Sequence, residues 1–380
     1  MAYTIQKRKF YEIIQKAYPI IPSKSSLQIL LNFKLVFNHE NLEIIATDLD
    51  HSIKVRTAIK GSGKQEITVN AKKLFEIVRE LHDSELTIDF DENVLIIESG
   101  GSFSCKISWA DTRDFPPFPE IESISSIDLP IQQLKEMILK SSFAVSKDES
   151  RACLCGVLWE VKKNRIGMVA TDGHRLGSSF YTDKFDVDNS DSFIVSPKSL
   201  LHLVRIFDVE NQEGYINIQR GEKYVVLHNE DFKLCTKLID GPYPDYEKVI
   251  PKNNPKKAKL NKTDLLDAVR RVSVLSNQKT HLVKVVFKKN ILEAAVQNKD
   301  IGGEARQTVP IEYDGDEHII GFNAQYLLEI LNIIKTPIIT IEMNTQISAC
   351  LLFPWYEKEE DKKSDDLFLI MPLRILEENF

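Results

Sequence analysis

Val169-Ala170-Thr171-Asp172-Gly173-His174-Arg175-Leu176-Gly177 decides how the rest of the chain is read. Met168, Val169 and Ala170 have the apolar character of a buried strand end, after which the chain turns polar, and Gly173 supplies the backbone freedom that a tight reversal requires. A related string, Ala46-Thr47-Asp48-Leu49-Asp50, lies upstream, and a more diverged one, Ala294-Ala295-Val296-Gln297-Asn298, lies downstream. The spacing is the same on both sides, since 170 − 46 = 124 and 294 − 170 = 124. The chain therefore reads as three copies of one unit, and its 380 residues allow each copy a core of its own. The expected domains are 1–121, 127–249 and 257–380.

Each copy repeats one order of elements. In the first, Phe10, Ile13, Ile14 and Ala17 mark the buried stripe of a helix over Lys7 to Ala17. Strands Leu31 to Phe37 and Leu42 to Ala46 follow, joined by a turn at Asn38-His39-Glu40-Asn41. A second helix has the stripe Leu74, Ile77, Val78 and Leu81, and strands Leu86 to Phe90, Val94 to Glu98 and Phe103 to Ser108 close the unit. The second-helix stripe recurs as Leu200, Leu203, Val204, Phe207 and as Leu327, Ile330, Leu331, Ile334. From first-helix stripe to post-strand alanine the third copy is seven residues shorter (46 − 10 = 36 against 294 − 265 = 29), so a loop is missing there. The charged run Glu357 to Asp366 reads as a solvated hairpin loop.

Composition excludes several classes. Hydrophobic residues at 43% and charged ones at 28% describe a soluble globular chain, and no apolar run approaches the roughly 18 residues a membrane span needs. No secretory signal follows Met1 to Lys9, which implies a cytoplasmic address. Five cysteines, including Cys153-Leu154-Cys155 with the wrong gap for a CxxC motif, read as reduced core thiols. No histidine spacing suggests a metal, and no cofactor is expected.

The net charge of −7 is sorted along the chain. Helical windows 7–17, 72–81, 134–141, 198–207, 262–272 and 325–335 hold fifteen Lys/Arg against seven Asp/Glu, and the remainder of the chain is strongly acidic. With the apolar stripes turned inward, Lys7, Lys9, Lys16, Lys72, Arg79, Lys198, Arg205, Arg270 and Arg271 fall on the free helix faces. A helix-borne basic surface on an acidic body suits a partner that contacts phosphate backbones without reading sequence.

Ala170-Thr171-Asp172-Gly173-His174-Arg175-Leu176, Tyr243-Pro244-Asp245-Tyr246 and Ile370-Met371-Pro372-Leu373-Arg374-Ile375 together resemble the bacterial DNA polymerase III beta subunit family, the beta sliding clamps, over essentially the whole chain. The resemblance implies an α+β DNA clamp fold, with three repeated domains of two helices packed on antiparallel sheets, closed into a ring as a homodimer. It implies a processivity factor that encircles duplex DNA and tethers the polymerase III alpha subunit, the clamp loader and other proteins carrying clamp-binding peptides of Gln-Leu-Phe type. Carried over position by position, the peptide pocket comprises Leu154, Thr171, Gly173, His174, Arg175, Leu176, Pro244, Lys248, Val249, Ile347, Ala349, Leu369, Ile370, Met371, Pro372, Leu373 and Arg374. Leu, Ile, Met and Pro would form its floor, and His174, Arg175 and Arg374 would meet polar atoms of the peptide. DNA contacts carry over to Lys24, Lys198 and Arg205, whereas Ala152-Cys153 stands where many clamps have a tyrosine pair. At the subunit interface Lys73, Cys105 and Ile107 would face Val274, Leu275 and Glu304.

Two other readings compete. Asp172 and His174 could form an acid/base pair, but no third group completes a triad and no GxSxG motif occurs. Gly61-Ser62-Gly63-Lys64 lacks the first glycine and the trailing Ser/Thr of a phosphate loop. A repeat scaffold without nucleic acid would leave the sorting of charge unexplained. The last residues, Leu376 to Phe380, extend past the point where many clamps stop and crudely mimic a partner peptide, so they are expected either to hang loose or to modulate the pocket.

Overall fold

The computed structural model describes residues 2–375 apart from 186, 188, 211 and 212. The expectation for Leu376 to Phe380 lies outside the described residues. The described residues form six α-helices and two antiparallel sheets of 13 and 12 strands. The chain packs as two compact units, one of residues 1–135 and 198–238, the other of residues 136–197 and 239–380, and each unit holds one sheet.

The repeat is visible in how helices begin. Each copy has two strands that lead into a helix, as in Tyr3–Gln6 into Lys7–Ala17 and Gln65–Asn70 into Ala71–Glu80. The third copy does the same with Lys256–Asn261 into Lys262–Ser273 and His318–Asn323 into Ala324–Ile333. Asparagine marks three of these boundaries: Asn70, Asn261 and Asn323 each accept backbone N–H bonds from the first helical turn, satisfying donors that the helix cannot. The stripes face the cores as the spacing requires. Phe10, Ile13, Ile14 and Ala17 are buried, as are Leu265, Ala268, Val269 and Val272, and Leu327, Ile330, Leu331 and Ile334. In the Ala71–Glu80 helix the stripe is narrower than expected, with Leu74 and Val78 buried and Ile77 and Leu81 half-buried. The connection missing from copy three lies after its first helix: residues 274–281 stand where the other copies use 18–31 and 143–156.

The sheets are assembled across copies. The strand after the polar turn in copy one, His51–Ala58, pairs with the last strand of copy two, Phe232–Lys237 (His51 with Thr236, Val55 with Phe232). The same strand of copy two, Arg175–Thr182, pairs with the last strand of copy three, Asp365–Ile370 (Arg175 with Ile370, Phe180 with Asp365). The second copy is thereby divided between the two sheets.

Several expectations are corrected. Lys16 is 3% exposed and belongs to the packing of its helix rather than to a free basic face. Only Cys235 and Cys350 are buried, while Cys105, Cys153 and Cys155 are half-buried, all five being free thiols. The Glu357 to Asp366 run is not wholly solvated, because Ser364 and Asp366 are buried and Asp366 receives Lys140 Nζ at 2.8 Å.

His202, 3% exposed on the helix Pro197–Glu210, donates from Nε2 to the Lys16 carbonyl at 2.6 Å. Burial, reinforced by the nearby Arg205 and Lys198 charges, pushes its imidazole down to about 4 against the pull of that carbonyl. A histidine depressed on folding stays neutral in the native state while the unfolded chain takes up a proton below about 6.5, so stability is lost as pH falls from there towards 4. The full effect is roughly 3 kcal/mol. His228 and His318, also lowered by burial, act with the same sign. Urea unfolding of His202→Gln is therefore expected to show a shallower loss of stability between pH 7 and pH 5 than the unaltered chain, and an unchanged slope would refute the assignment.

Candidate functional site: the Asp172 turn and the carboxyl-terminal strand

The strand Arg165–Thr171 is buried from Ile166 to Ala170 and enters the turn as the sequence indicated. The Thr171 hydroxyl donates to the Arg175 carbonyl at 2.7 Å and accepts the Gly173 N–H at 3.1 Å. Asp172 Oδ1 accepts the backbone N–H groups of His174 and Arg175 at 2.8 and 3.0 Å, and its Oδ2 accepts Arg175 Nε at 3.1 Å. Gly173 sits at φ 90°, the left-handed region where a side chain would be strained. Copy one builds the same turn: the Thr47 hydroxyl bonds the His51 carbonyl at 3.0 Å, and Asp48 Oδ1 accepts the His51 N–H at 2.7 Å. There Leu49 occupies the left-handed position, at φ 81°.

Each quoted motif has a mechanical role. Tyr243 Oη accepts the Thr171 N–H at 3.0 Å, and Tyr246 Oη donates to Glu160 at 2.7 Å, so Tyr243-Pro244-Asp245-Tyr246 is bonded to two neighbouring strands. Burial pushes both phenols up, with the Glu160 carboxylate adding to the effect on Tyr246. The Met371 N–H donates to the His174 carbonyl at 2.8 Å, and the Leu373 N–H to the Gly321 carbonyl at 2.7 Å, so the carboxyl-terminal segment ties the turn to the strand His318–Asn323. Gly321 is required there, since a Cβ would meet the Leu373 carbonyl oxygen at 2.7 Å.

Four of the sequence-selected residues, Leu176, Ala349, Leu369 and Met371, come together at one apolar cluster. Leu176, Ala349 and Leu369 belong to it with Leu158, Val169, Ile194, Tyr246 and Leu351, and Met371, Tyr243 and Cys153 pack at its edge. Leu154 is buried, Thr171 half-buried, and Met371, Pro372 and Leu373 half-buried. Gly173, His174, Pro244, Lys248, Val249, Ile347 and Arg374 are exposed. Val249 at 54% and Ile347 at 67% exposure are apolar side chains left open to solvent.

Two of the selected residues do other work. Ile370 is fully buried in the opposite core, with Phe368 and Cys350, because side chains alternate along a strand and Leu369 takes the site face. Arg175 is 5% exposed, held by Asp172 and by an ion pair with Glu329, and lies over the rings of Tyr326 at 4.4 Å and Phe143 at 5.4 Å. It shapes the turn rather than offering its guanidinium. Tyr326, stacked near His174 with ring centroids 6.4 Å apart, escaped the sequence reading because it reads as one more helix residue. The acid/base reading of this turn loses its acid: both Asp172 oxygens are engaged by backbone N–H groups and Arg175.

Among the basic residues, Lys24, Lys72, Arg79, Arg205, Arg270 and Arg271 are exposed. Arg270 and Arg271 share Asp267, at 3.7 and 3.4 Å. Lys198 is bound to Asp48 at 2.6 Å, and that carboxyl, which burial alone would raise, is held well below the usual carboxylate range by His51 and Lys198. Lys198→Glu would therefore place two carboxylates together and disturb the fold as well as the surface. Among the described residues no group of three His, Cys, Asp or Glu is placed to hold a metal, and no helix is long and apolar enough to cross a membrane.

The chain matches the DNA polymerase III beta subunit models for the N-terminal domain at residues 1–119, the central domain at 128–245 and the C-terminal domain at 247–373. It is 30% identical over 382 residues to the beta sliding clamp of Proteus mirabilis, covering 99% of this chain and 100% of that one. It is 28% identical over 378 residues to the beta sliding clamp of Escherichia coli K12, with the same coverage. A solved Pseudomonas aeruginosa sliding clamp bound to griselimycin superposes with a TM-score of 0.92 at 28% identity, over 99% of this chain and 100% of that one. The DNA polymerase III beta subunit of Thermotoga maritima superposes at 0.89 with 26% identity, again over 99% and 100%. The fold is the DNA clamp fold, and the chain belongs to the DNA polymerase III beta subunit family.

Arg175→Met is expected to cost roughly 3–5 kcal/mol in urea unfolding, because it leaves the buried Asp172 carboxylate without its cation. Glu329→Gln, at the half-exposed end of the network, is expected to cost less than about 1 kcal/mol. Equal losses would contradict this division of roles.

Proposed function

We propose that this chain is a DNA polymerase processivity factor, a homodimeric ring that encircles duplex DNA and holds partner proteins by their peptides at the Asp172 turn. One observation carries the ring: in both sheets the strand after the polar turn is completed by the last strand of the next copy. The corresponding strand of copy three is Gly303–Glu312, which pairs with its neighbour Ile291–Asn298 through residues 303–310 but meets Lys256–Asn261 only at Ile311 and Glu312. The last strand of copy one is Phe103–Ala110, bonded along Phe103–Ser108 to Val94–Ser99 and to Gln65–Asn70 only at Trp109 and Ala110. Each therefore has a length of unpaired edge among the described residues. A second copy of the chain supplies the missing strand twice over, in a head-to-tail contact that closes after two chains and six repeats.

The interface residues suit this pairing. Cys105 and Ile107 lie on one free strand and Glu304 on the other, with Lys73 exposed on the adjoining helix and Val274 80% exposed. Ile107, at 6% exposure, already packs within its own subunit, so its contribution is to hold the strand in register. The domain division at 1–121, 127–249 and 257–380 follows the repeat, with the middle domain sharing a sheet with each neighbour.

The basic helices complete the reading. Lys24, Lys72, Arg79, Arg205, Arg270 and Arg271 offer exposed charge, with Lys198 partly neutralised, for weak phosphate contacts that permit sliding. Retention then comes from linkage. No chemistry is assigned to the chain, and its address is the cytoplasm, where replication proteins of a bacterium work. The pocket floor is Leu154, Leu176, Ala349, Leu369 and Met371, rimmed by Thr171, Gly173, His174, Tyr326, Pro244, Lys248, Val249, Ile347, Pro372, Leu373 and Arg374.

Sedimentation at micromolar concentration is expected to report twice the chain mass, and a persistent monomer would refute the ring. Loaded chain should stay on circular plasmid and be lost when the plasmid is cut. Lys24→Glu with Arg205→Glu, both exposed, should lower loading while leaving the unfolding midpoint in place.

A further inference from the structure

A groove of about 600 Å³ opens on the second sheet beyond the candidate peptide site. Its walls are Phe180, Tyr246, Ile250, Phe353 and Trp355, with charged side chains at the margins. The groove is not a separate feature of the surface. Phe180, Tyr246, Ile250, Phe353 and Leu367 belong to, or pack against, the same apolar cluster that contains Leu176, Ala349 and Leu369. Along the strand Arg175–Thr182, residues 176, 178 and 180 share one face, so the path from Leu176 in the pocket to Phe180 in the groove is roughly 13 Å, the reach of about four extended residues. The short helix Tyr246–Val249 lines the groove with Tyr246 and Glu247, and Tyr246 belongs to the shared cluster as well.

Two of the aromatic walls are held by cations. Arg165 lies over Phe180 at 4.6 Å, and Lys259 over Trp355 at 3.8 Å. Of the carboxylates at the margin, Asp365 is paired with Lys362 at 2.7 Å and Asp366 with Lys140 at 2.8 Å. Arg165 and Lys252 are matched by Glu247 in the lining and by Glu160 on the Tyr246 hydroxyl. The groove is apolar and aromatic inside, with the charges at its margin in balance.

We infer that this groove is a second station of the peptide site, which takes the residues flanking the core motif of the same bound partner and favours a flank of aromatic or large apolar residues. The inference rests on the peptide-binding role proposed above. The occupant is the same chain because pocket and groove share one apolar cluster and one strand face, and a four-residue extension reaches from one to the other.

The test uses fluorescent peptides on the full chain at fixed salt. A short Gln-Leu-Phe type peptide is compared with versions extended by Ser-Leu-Phe-Gly at the amino or the carboxyl end, and with Gly-Ser-Gly-Ser extensions as controls. One of the two apolar extensions is expected to bind about tenfold tighter than the short peptide, while the controls gain nothing. The gain should be lost in Trp355→Ala, with short-peptide affinity unchanged. Equal affinity of short and extended peptides, or a gain that survives Trp355→Ala, would overturn the second station and leave the pocket standing. A chain that binds none of the peptides overturns the pocket and the groove together.

Discussion

The unpaired edge of a β-strand is the constraint on which this architecture turns. Backbone N–H and C=O groups must find partners, and an open edge invites uncontrolled pairing. Here the edge of each copy is satisfied by the final strand of the next, His51–Ala58 by Phe232–Lys237 and Arg175–Thr182 by Asp365–Ile370. A rule of that kind has no natural end within three copies. It leaves one acceptor strand, Gly303–Glu312, and one donor strand, Phe103–Ala110, each with free length. The geometry that builds the sheets of one chain is thus the same geometry that asks for a second chain, and the proposed dimer would extend the fold rather than be added to it.

The polar turn illustrates how one backbone device can serve different ends. In copies one and two a threonine hydroxyl and an aspartate carboxylate replace the backbone partners that a tight reversal lacks. The rest of the aspartate's bonding capacity is then available. In copy one His51 and Lys198 take it, tying the turn to a neighbouring helix. In copy two Arg175 takes it and carries the connection on to Glu329, with its guanidinium between two aromatic rings. That leaves His174 exposed, with the half-buried Tyr326 stacked near it. Copy three has Asn298 near the corresponding place, where it accepts the Asp300 N–H at 3.1 Å, and keeps only part of the device.

Periodicity made the repeat, the six helices and their inward faces legible, because burial of a stripe leaves a 3.6-residue signature in the sequence itself. Motifs located the turn and the carboxyl-terminal strand. What escaped was set by pairing between distant segments. Nothing local tells that Ile370 faces one core and Leu369 another until the partner strand fixes the register. Nothing local separates Lys16, which is buried, from Lys9, which is exposed on the same helix, because both lie at the margin of the stripe. Tyr326 was invisible for the same reason: its role depends on His174, 152 positions away (326 − 174).

The distribution of charge bears on how a ring of this kind would hold DNA. A lysine already engaged by a carboxylate gives little to a phosphate, since the gain from the new contact is offset by loss of the old one. Lys198 is in that condition through Asp48, and Arg270 and Arg271 divide Asp267 between them. Pairing therefore tempers the positive surface at several of the places where the sequence concentrates it. For a protein that had to bind DNA tightly this would be a defect. For one that is retained by topology it is an advantage, because each contact must break as often as it forms for the ring to slide, and a cation with an acid beside it releases a phosphate more readily than an isolated one.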